Sequence, residues 1–187
     1  MAEHSSIRLP RLFVAGGGRD AGSAPEPPDA GLLLRDLDLP ALIRSADGSR
    51  RVLAVDLDSV EGLNPDGSAV RFVTRQLGIE IVATRRPSVA ADVVEQGGLA
   101  LLRILAFDST GLNRALDGQQ HPPGIGSLVS PGPVVAHLSP VDLARLPRPL
   151  VAYGLIDTPA RVRQLLAHAD SVVVRPECAA RIVGAPL

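Results

Sequence analysis

The chain has 187 residues, 45% of them hydrophobic, enough to bury a core without disulfides or metals. A formal net charge of -1 and an aromatic content of 2% argue against a generally basic nucleic-acid wrapper, an anionic-membrane binder, or a base-stacking platform. All 19 basic residues are arginine. Lysine Schiff bases and the P-loop lysine are therefore excluded, and guanidinium is left as the group that recognises phosphate or carboxylate. Cys178 stands alone, with no partner for an internal disulfide. No apolar run approaches membrane-span length, and Arg8, Pro10 and Arg11 interrupt the amino terminus, so a cytoplasmic location is expected.

Residues 7–15 predict a first strand, made irregular by Pro10. A Gly/Pro-rich loop follows over 16–30. Its Gly16-Gly17-Gly18 does not open a helix, as a dinucleotide fingerprint would require. Leu32-Leu33-Leu34 ends at Arg35 and Asp36, and a short helix is expected over 37–46. Strand 52–55 runs into Asp56, and Ser68 is a plausible cap for the helix bearing Val70, Val73 and Leu77. Strand 79–83 ends at Thr84 and Arg85, before a helix opened by Pro87 or Ser88 and closed by Gly97-Gly98. Strand 99–105 carries Arg103 and is followed by a weak helix over 110–116. Residues 127–129 form a short strand, 134–145 are partly helical, and strand 149–153 leads to Thr158-Pro159, a strong helix start. Residues 171–174 are the last strand.

Seven or eight short apolar strands alternating with helices predict βαβ units on a parallel sheet. Eight of them close a compact TIM-like (β/α)8 barrel with a shortened or irregular first unit. The expected organisation is one barrel domain over 1–187, and an open doubly wound sheet is the competing architecture.

Polar residues recur where the apolar strands end, which places the chemistry on one rim. Asp56, Asp58 and Glu61 follow a buried strand and offer oxygen ligands to Mg²⁺. The Asp-x-Asp also resembles the nucleophile motif of haloacid-dehalogenase-like phosphatases, but the acidic pair and the lysine of that family are missing. Capping and solvation are the plainer roles for these carboxylates. Thr84, Arg85 and the helix start after them suit a phosphate. Arg103 inside an apolar strand needs a counter-charge, for which Asp56 and Asp108 are the available partners. Gly154 lets backbone approach a ligand. His4, His121, His137 and His168 have no evident catalytic partner.

From Leu32 to Pro176 the motifs follow the order of the glycerol-3-phosphate responsive antiterminator family. Asp58-Ser59-Val60-Glu61-Gly62-Leu63 resembles its Asp-Leu-x-x-Gly-Leu, and Ile81-Val82-Ala83-Thr84-Arg85 its Ile-Ile-Ser-Thr-Arg. Arg103, Leu105, Asp108 and Ser109 are similar to Arg-x-Phe-x-x-Asp-Ser, Ser130-Pro131-Gly132 to Leu-Pro-Gly, and Leu150 to Ile156 to Val-Ile-Ala-Gly-Gly-Leu-Ile. The chain departs from the family at Asp56, where the family has His, and at Leu128, where it has an acid. It departs again at Tyr153, in place of the first Gly of the pair, and at Val174-Arg175, in place of small hydroxyl residues.

The resemblance implies a TIM-barrel regulator that senses glycerol 3-phosphate or a related phosphorylated metabolite. Such a regulator binds leader RNA in glycerol-utilisation operons to prevent termination. It also implies a ligand site of Asp58, Glu61, Thr84, Arg85, Arg103, Asp108, Gly154 and Arg175. No cofactor, metal, membrane or catalytic residue is expected, and a homodimer is compatible with it. The alternatives are a Mg²⁺-dependent phosphohydrolase or barrel isomerase using Asp56, Asp58 and Glu61, and a degenerate barrel that binds a protein partner.

Overall fold

The computed structural model describes residues 7–16, 29–107 and 124–182. The expected helix over 110–116, most of the 16–30 loop and Asp108 lie outside the described residues. Eight strands form the frame: β1 (Leu12–Gly16), β2 (Gly31–Leu34), β3 (Leu53–Asp56), β4 (Ile81–Thr84), β5 (Leu99–Leu105), β6 (Ile125–Ser130), β7 (Leu150–Tyr153) and β8 (Ser171–Val174). Each pairs in parallel with the next, and β8 returns to β1 through Leu12 opposite Val172 and Val14 opposite Val174. The sheet is a closed barrel, which removes the open doubly wound alternative. Pro10 sits just ahead of β1, where its missing N–H costs the ladder nothing.

Residues alternate between two apolar environments along every strand. Phe13, Leu33, Ala54, Ile81, Ala83, Leu101, Leu128, Val151 and Val173 pack inside the barrel. Their neighbours Val14, Leu34, Val55, Val82, Ala100, Val129, Ala152 and Val174 face outward, against the helices. Strands buried on both faces therefore read as nearly continuous apolar runs. Phe13 fits inside because Gly31 yields to it: a Cβ there would stand 2.6 Å from the Phe13 ring.

Proline and short polar caps start the helices. They are α1 (Leu39–Ala46), α2 (Gly67–Arg71, continued by a wider-turned segment over Phe72–Gln76), α3 (Pro87–Glu95), α4 (Pro140–Arg145), α5 (Pro159–Leu166) and α6 (Pro176–Ile182). A 3₁₀ segment, Gly132–His137, precedes α4. Asp38 accepts from the Ala41 N–H at 2.7 Å, Ser139 from Asp142 at 3.1 Å and Thr158 from Arg161 at 3.2 Å. Ser68 is not the cap of α2. Asp66 is, accepting from the N–H groups of Ser68 and Ala69 at 2.9 and 3.1 Å, which hold its carboxyl below the ordinary range. Cys178 is on the buried face of α6, and burial pushes its thiol up. No described helix is long and apolar enough to cross a membrane.

Candidate functional site

One step of two residues beyond the apolar interior layer, the barrel changes character. The next inward positions are Ala15, Arg35, Asp56, Arg85, Arg103, Ser130, Tyr153 and Arg175. Four arginines and a tyrosine thus crown an aliphatic plug, at the end of the barrel where parallel-sheet enzymes and binders place their ligands.

At the centre, Arg103 Nη1 lies 3.1 Å from Asp56 Oδ2. These residues come from β5 and β3, which are not adjacent. They meet because β4 presents only the small Ala83 between them, Asp56 standing opposite Ala83 and Ala83 opposite Leu101. Asp56 is 1% exposed. Burial pushes its carboxyl above the ordinary range, against the opposing pull of Arg103 and Arg35. Asp56 Oδ1, Arg103 Nε and Arg35 Nε are buried without a hydrogen-bond partner. The guanidinium carbons of Arg35 and Arg103 lie 5.2 and 5.3 Å from the Tyr153 ring centroid, within cation–π reach. Arg35 also pairs with Asp36 at 2.8 Å.

Beside this group a cavity of about 310 Å³ opens between β1, β2, β7 and β8. Arg35, Tyr153, Gly154, Leu155 and Arg175 line it, over a floor that includes Ala15 and Val173. Gly154 has φ 79°, a conformation that glycine takes without strain, and its carbonyl accepts from the Gly132 N–H at 3.1 Å. Leu155 follows at φ 56°, unusual for a branched side chain, and is 74% exposed.

A second polar knot closes the rim over β3 and β4. Asp58, its side chain 4% exposed, accepts from the Arg85 N–H at 2.6 Å and from Thr84 Oγ1 at 3.3 Å. Arg85 and Arg86 each bring Nε to 3.6 Å from it. Thr84 Oγ1 in turn accepts from the Arg86 N–H at 3.1 Å. A two-residue parallel pair, Leu37–Asp38 with Val60–Glu61, ties the loop after β2 to the loop after β3. Ser59 Oγ reinforces the tie, donating to the Asp56 carbonyl at 2.9 Å and accepting from the Asp36 N–H at 3.0 Å.

The residues singled out by sequence therefore fall into separate groups. Gly154 and Arg175 share the cavity. Arg103 stands behind the Tyr153 ring, paired with Asp56. Asp58, Thr84 and Arg85 bind one another. Glu61 is exposed and sits opposite Asp38, away from the rest. The proposed metal set Asp56, Asp58 and Glu61 is not assembled: each of the two aspartates is held by its own arginines, and Glu61 is on the outer two-residue pair. Among the described residues no group of three metal-ligating side chains stands together. Arg35 is a cavity residue that the motifs passed over, although the two-residue step from Leu33 reaches it directly.

A family model described as glycerol-3-phosphate responsive antiterminator matches residues 32–175, well over half of the chain. The chain belongs to that family. The antiterminator fold is also found in a glycerol uptake operon antiterminator-related protein from Thermotoga maritima, at TM-score 0.76 and 24% identity, covering 91% of this chain and 95% of that one. A glycerol uptake operon antiterminator regulatory protein from Listeria monocytogenes aligns at TM-score 0.78 and 19% identity, covering 91% and 94%. A protein described as QR15, an aldolase, shares the barrel more loosely, at TM-score 0.55, 10% identity and coverage of 80% and 78%. At these identities the likeness to the solved structures is one of fold. No curated protein matches the sequence.

Proposed function

We propose that this antiterminator-family chain is a cytoplasmic regulator whose rim cavity takes glycerol 3-phosphate. The binding state of the cavity would then govern engagement of leader RNA and the prevention of termination in glycerol-utilisation operons. The observation that carries the ligand assignment is the placement of Arg35 and Arg175 on one cavity of about 310 Å³. That volume suits a small metabolite, at the lower end of about 300–1,000 Å³ for ligand sites. Guanidinium groups match phosphate oxygens bidentately, and Gly154 leaves room for the polyol end. In this reading Arg103 and Asp56 act behind the Tyr153 ring, while Asp58, Thr84 and Arg85 shape the rim.

Isothermal calorimetry with glycerol 3-phosphate tests this, with glycerol and inorganic phosphate as controls. Wild type binds, and Arg35→Ala or Arg175→Ala weakens binding by roughly 10- to 150-fold, the loss of a charge-assisted hydrogen bond. Glycerol alone gives no heat. A folded wild-type protein that shows no binding at millimolar ligand defeats the sensor reading.

A further inference from the structure

The face opposite the cavity, where the strands begin, carries its own concentration of positive charge. Arg8 and Arg11 lead into β1, and Arg50 and Arg51 lead into β3. These four arginines line one groove of about 690 Å³, in which Asp29 is the carboxylate. An adjoining hollow of about 380 Å³ shares Arg8 and Arg51 and adds Glu80. Four guanidinium groups thus face two carboxylates. Arg8, Arg11 and Arg50 are exposed, and no described carboxylate pairs with them. Several arginines elsewhere are paired internally: Arg85 and Arg86 with Asp58, Arg103 with Asp56, and Arg148 with Asp170. Three exposed arginines without a described carboxylate partner thus share one concave surface, in a chain that is near neutral overall.

We infer that this groove is the docking surface for single-stranded RNA, gripping the sugar-phosphate backbone. This rests on the regulatory reading above and deepens it by giving the RNA a place distinct from the metabolite's. Charge complementarity selects a polyanion, because an exposed cluster of guanidinium groups repels itself unless phosphates neutralise it. No aromatic residue lines the groove. Stacking on bases is thus absent there, and binding proceeds through phosphate contacts without base readout. The metabolite and the transcript occupy opposite ends of the barrel and do not compete for the same arginines.

Fluorescence anisotropy with a labelled mixed-sequence single-stranded RNA tests the assignment, using the full chain over about 50 to 200 mM salt. The probes beside it are vesicles containing phosphatidylglycerol. Arg11→Glu/Arg50→Glu weakens RNA binding at least about tenfold. It also flattens the slope of log K against log salt by about 1.4, the share of two single-strand phosphate contacts. Arg181→Glu, a reversal on α6, leaves the RNA curve unchanged. Both variants keep wild-type affinity for glycerol 3-phosphate by calorimetry. Arg11→Ala/Arg50→Ala provides the same comparison should the reversal fail to fold. If wild type binds RNA and the groove variants bind it equally well, the groove assignment is overturned and the regulatory reading stands. If wild type binds no RNA, or binds the vesicles in its place, both fall.

Discussion

Removing the Arg103 guanidinium exposes the central electrostatic dependence of the rim. At 3.1 Å the attraction between Arg103 and Asp56 is about 5 kcal/mol at an effective dielectric near 20. Part of that offsets the burial of both groups, and breaking such a pair from one side costs roughly 3–5 kcal/mol. Arg103→Ala is expected to lower Tm by roughly 6–20 °C, at 2–4 °C per kcal/mol for a chain of this size. The loss depends on pH in a definite direction. Burial already raises the Asp56 carboxyl above its ordinary 3.8. A group raised on folding holds its proton more tightly in the native state, so its contribution is full below the unfolded pKa and is lost as pH climbs through the folded one. Without Arg103 the carboxyl rises further. The penalty is therefore larger at about pH 8 than at about pH 5, because falling pH favours the protonated carboxyl, which needs no counter-charge. Thermal unfolding by circular dichroism at both values measures it, with Arg103→Ala/Asp56→Asn as the partner variant. The double variant should recover most of the loss at the higher pH. An equal loss at both pH values, or no recovery in the double variant, would refute the reasoning.

Three other outcomes follow from contacts at the rim. Asp58→Ala leaves the Arg85 N–H and the Thr84 hydroxyl without their acceptor and should cost about 2–3 kcal/mol in urea unfolding, whereas Asp58→Asn retains part of the acceptor capacity and costs less. Tyr153→Leu removes the ring shared by Arg35 and Arg103 and should destabilise by about 1–2 kcal/mol, while Tyr153→Phe, which keeps the ring, stays within about 0.5 kcal/mol of wild type. Gly132→Ala would place its Cβ 2.9 Å from Ile156 Cδ1 and 3.1 Å from the Tyr153 nitrogen, pushing on the Gly154 loop. A destabilisation of about 1–3 kcal/mol is expected, together with weaker calorimetric binding of glycerol 3-phosphate.

Strands such as Leu99–Leu105 and Ser171–Val174 can be read directly from the sequence, because burial on both faces leaves uninterrupted apolar runs between polar punctuation. Thr158-Pro159 announces α5 because cap and first-turn proline solve the same orphan N–H problem side by side. The need of Arg103 for a counter-charge is equally local. Which aspartate supplies it is not: the answer depends on Ala83 being small enough for side chains from β3 and β5 to meet across β4, a fact of barrel curvature. Glu61 shows the converse. Its spacing after Asp56 and Asp58 suggests a shared site, but the chain diverts it into an outer two-residue pair opposite Asp38. Asp66 outranked Ser68 at the start of α2 because its carboxylate reaches two N–H groups at once. Arg35 needed no distant information, only the inward alternation continued one step past Leu33.

Closure of the barrel has a consequence for recognition itself. Each of the eight strands spends its ladder groups on two neighbours, so the barrel offers no unpaired edge on which another chain could lay a strand. Among the described residues the remaining sheet is the two-residue pair of Leu37–Asp38 and Val60–Glu61, too short to template one. A partner must therefore read this protein through its side chains and loops rather than through backbone addition. Specificity is thereby placed in residues that can be exchanged one at a time. In the proposed arrangement, substitutions can alter the cavity at one end, or the arginine groove at the other, without disturbing the hydrogen-bonded wall between.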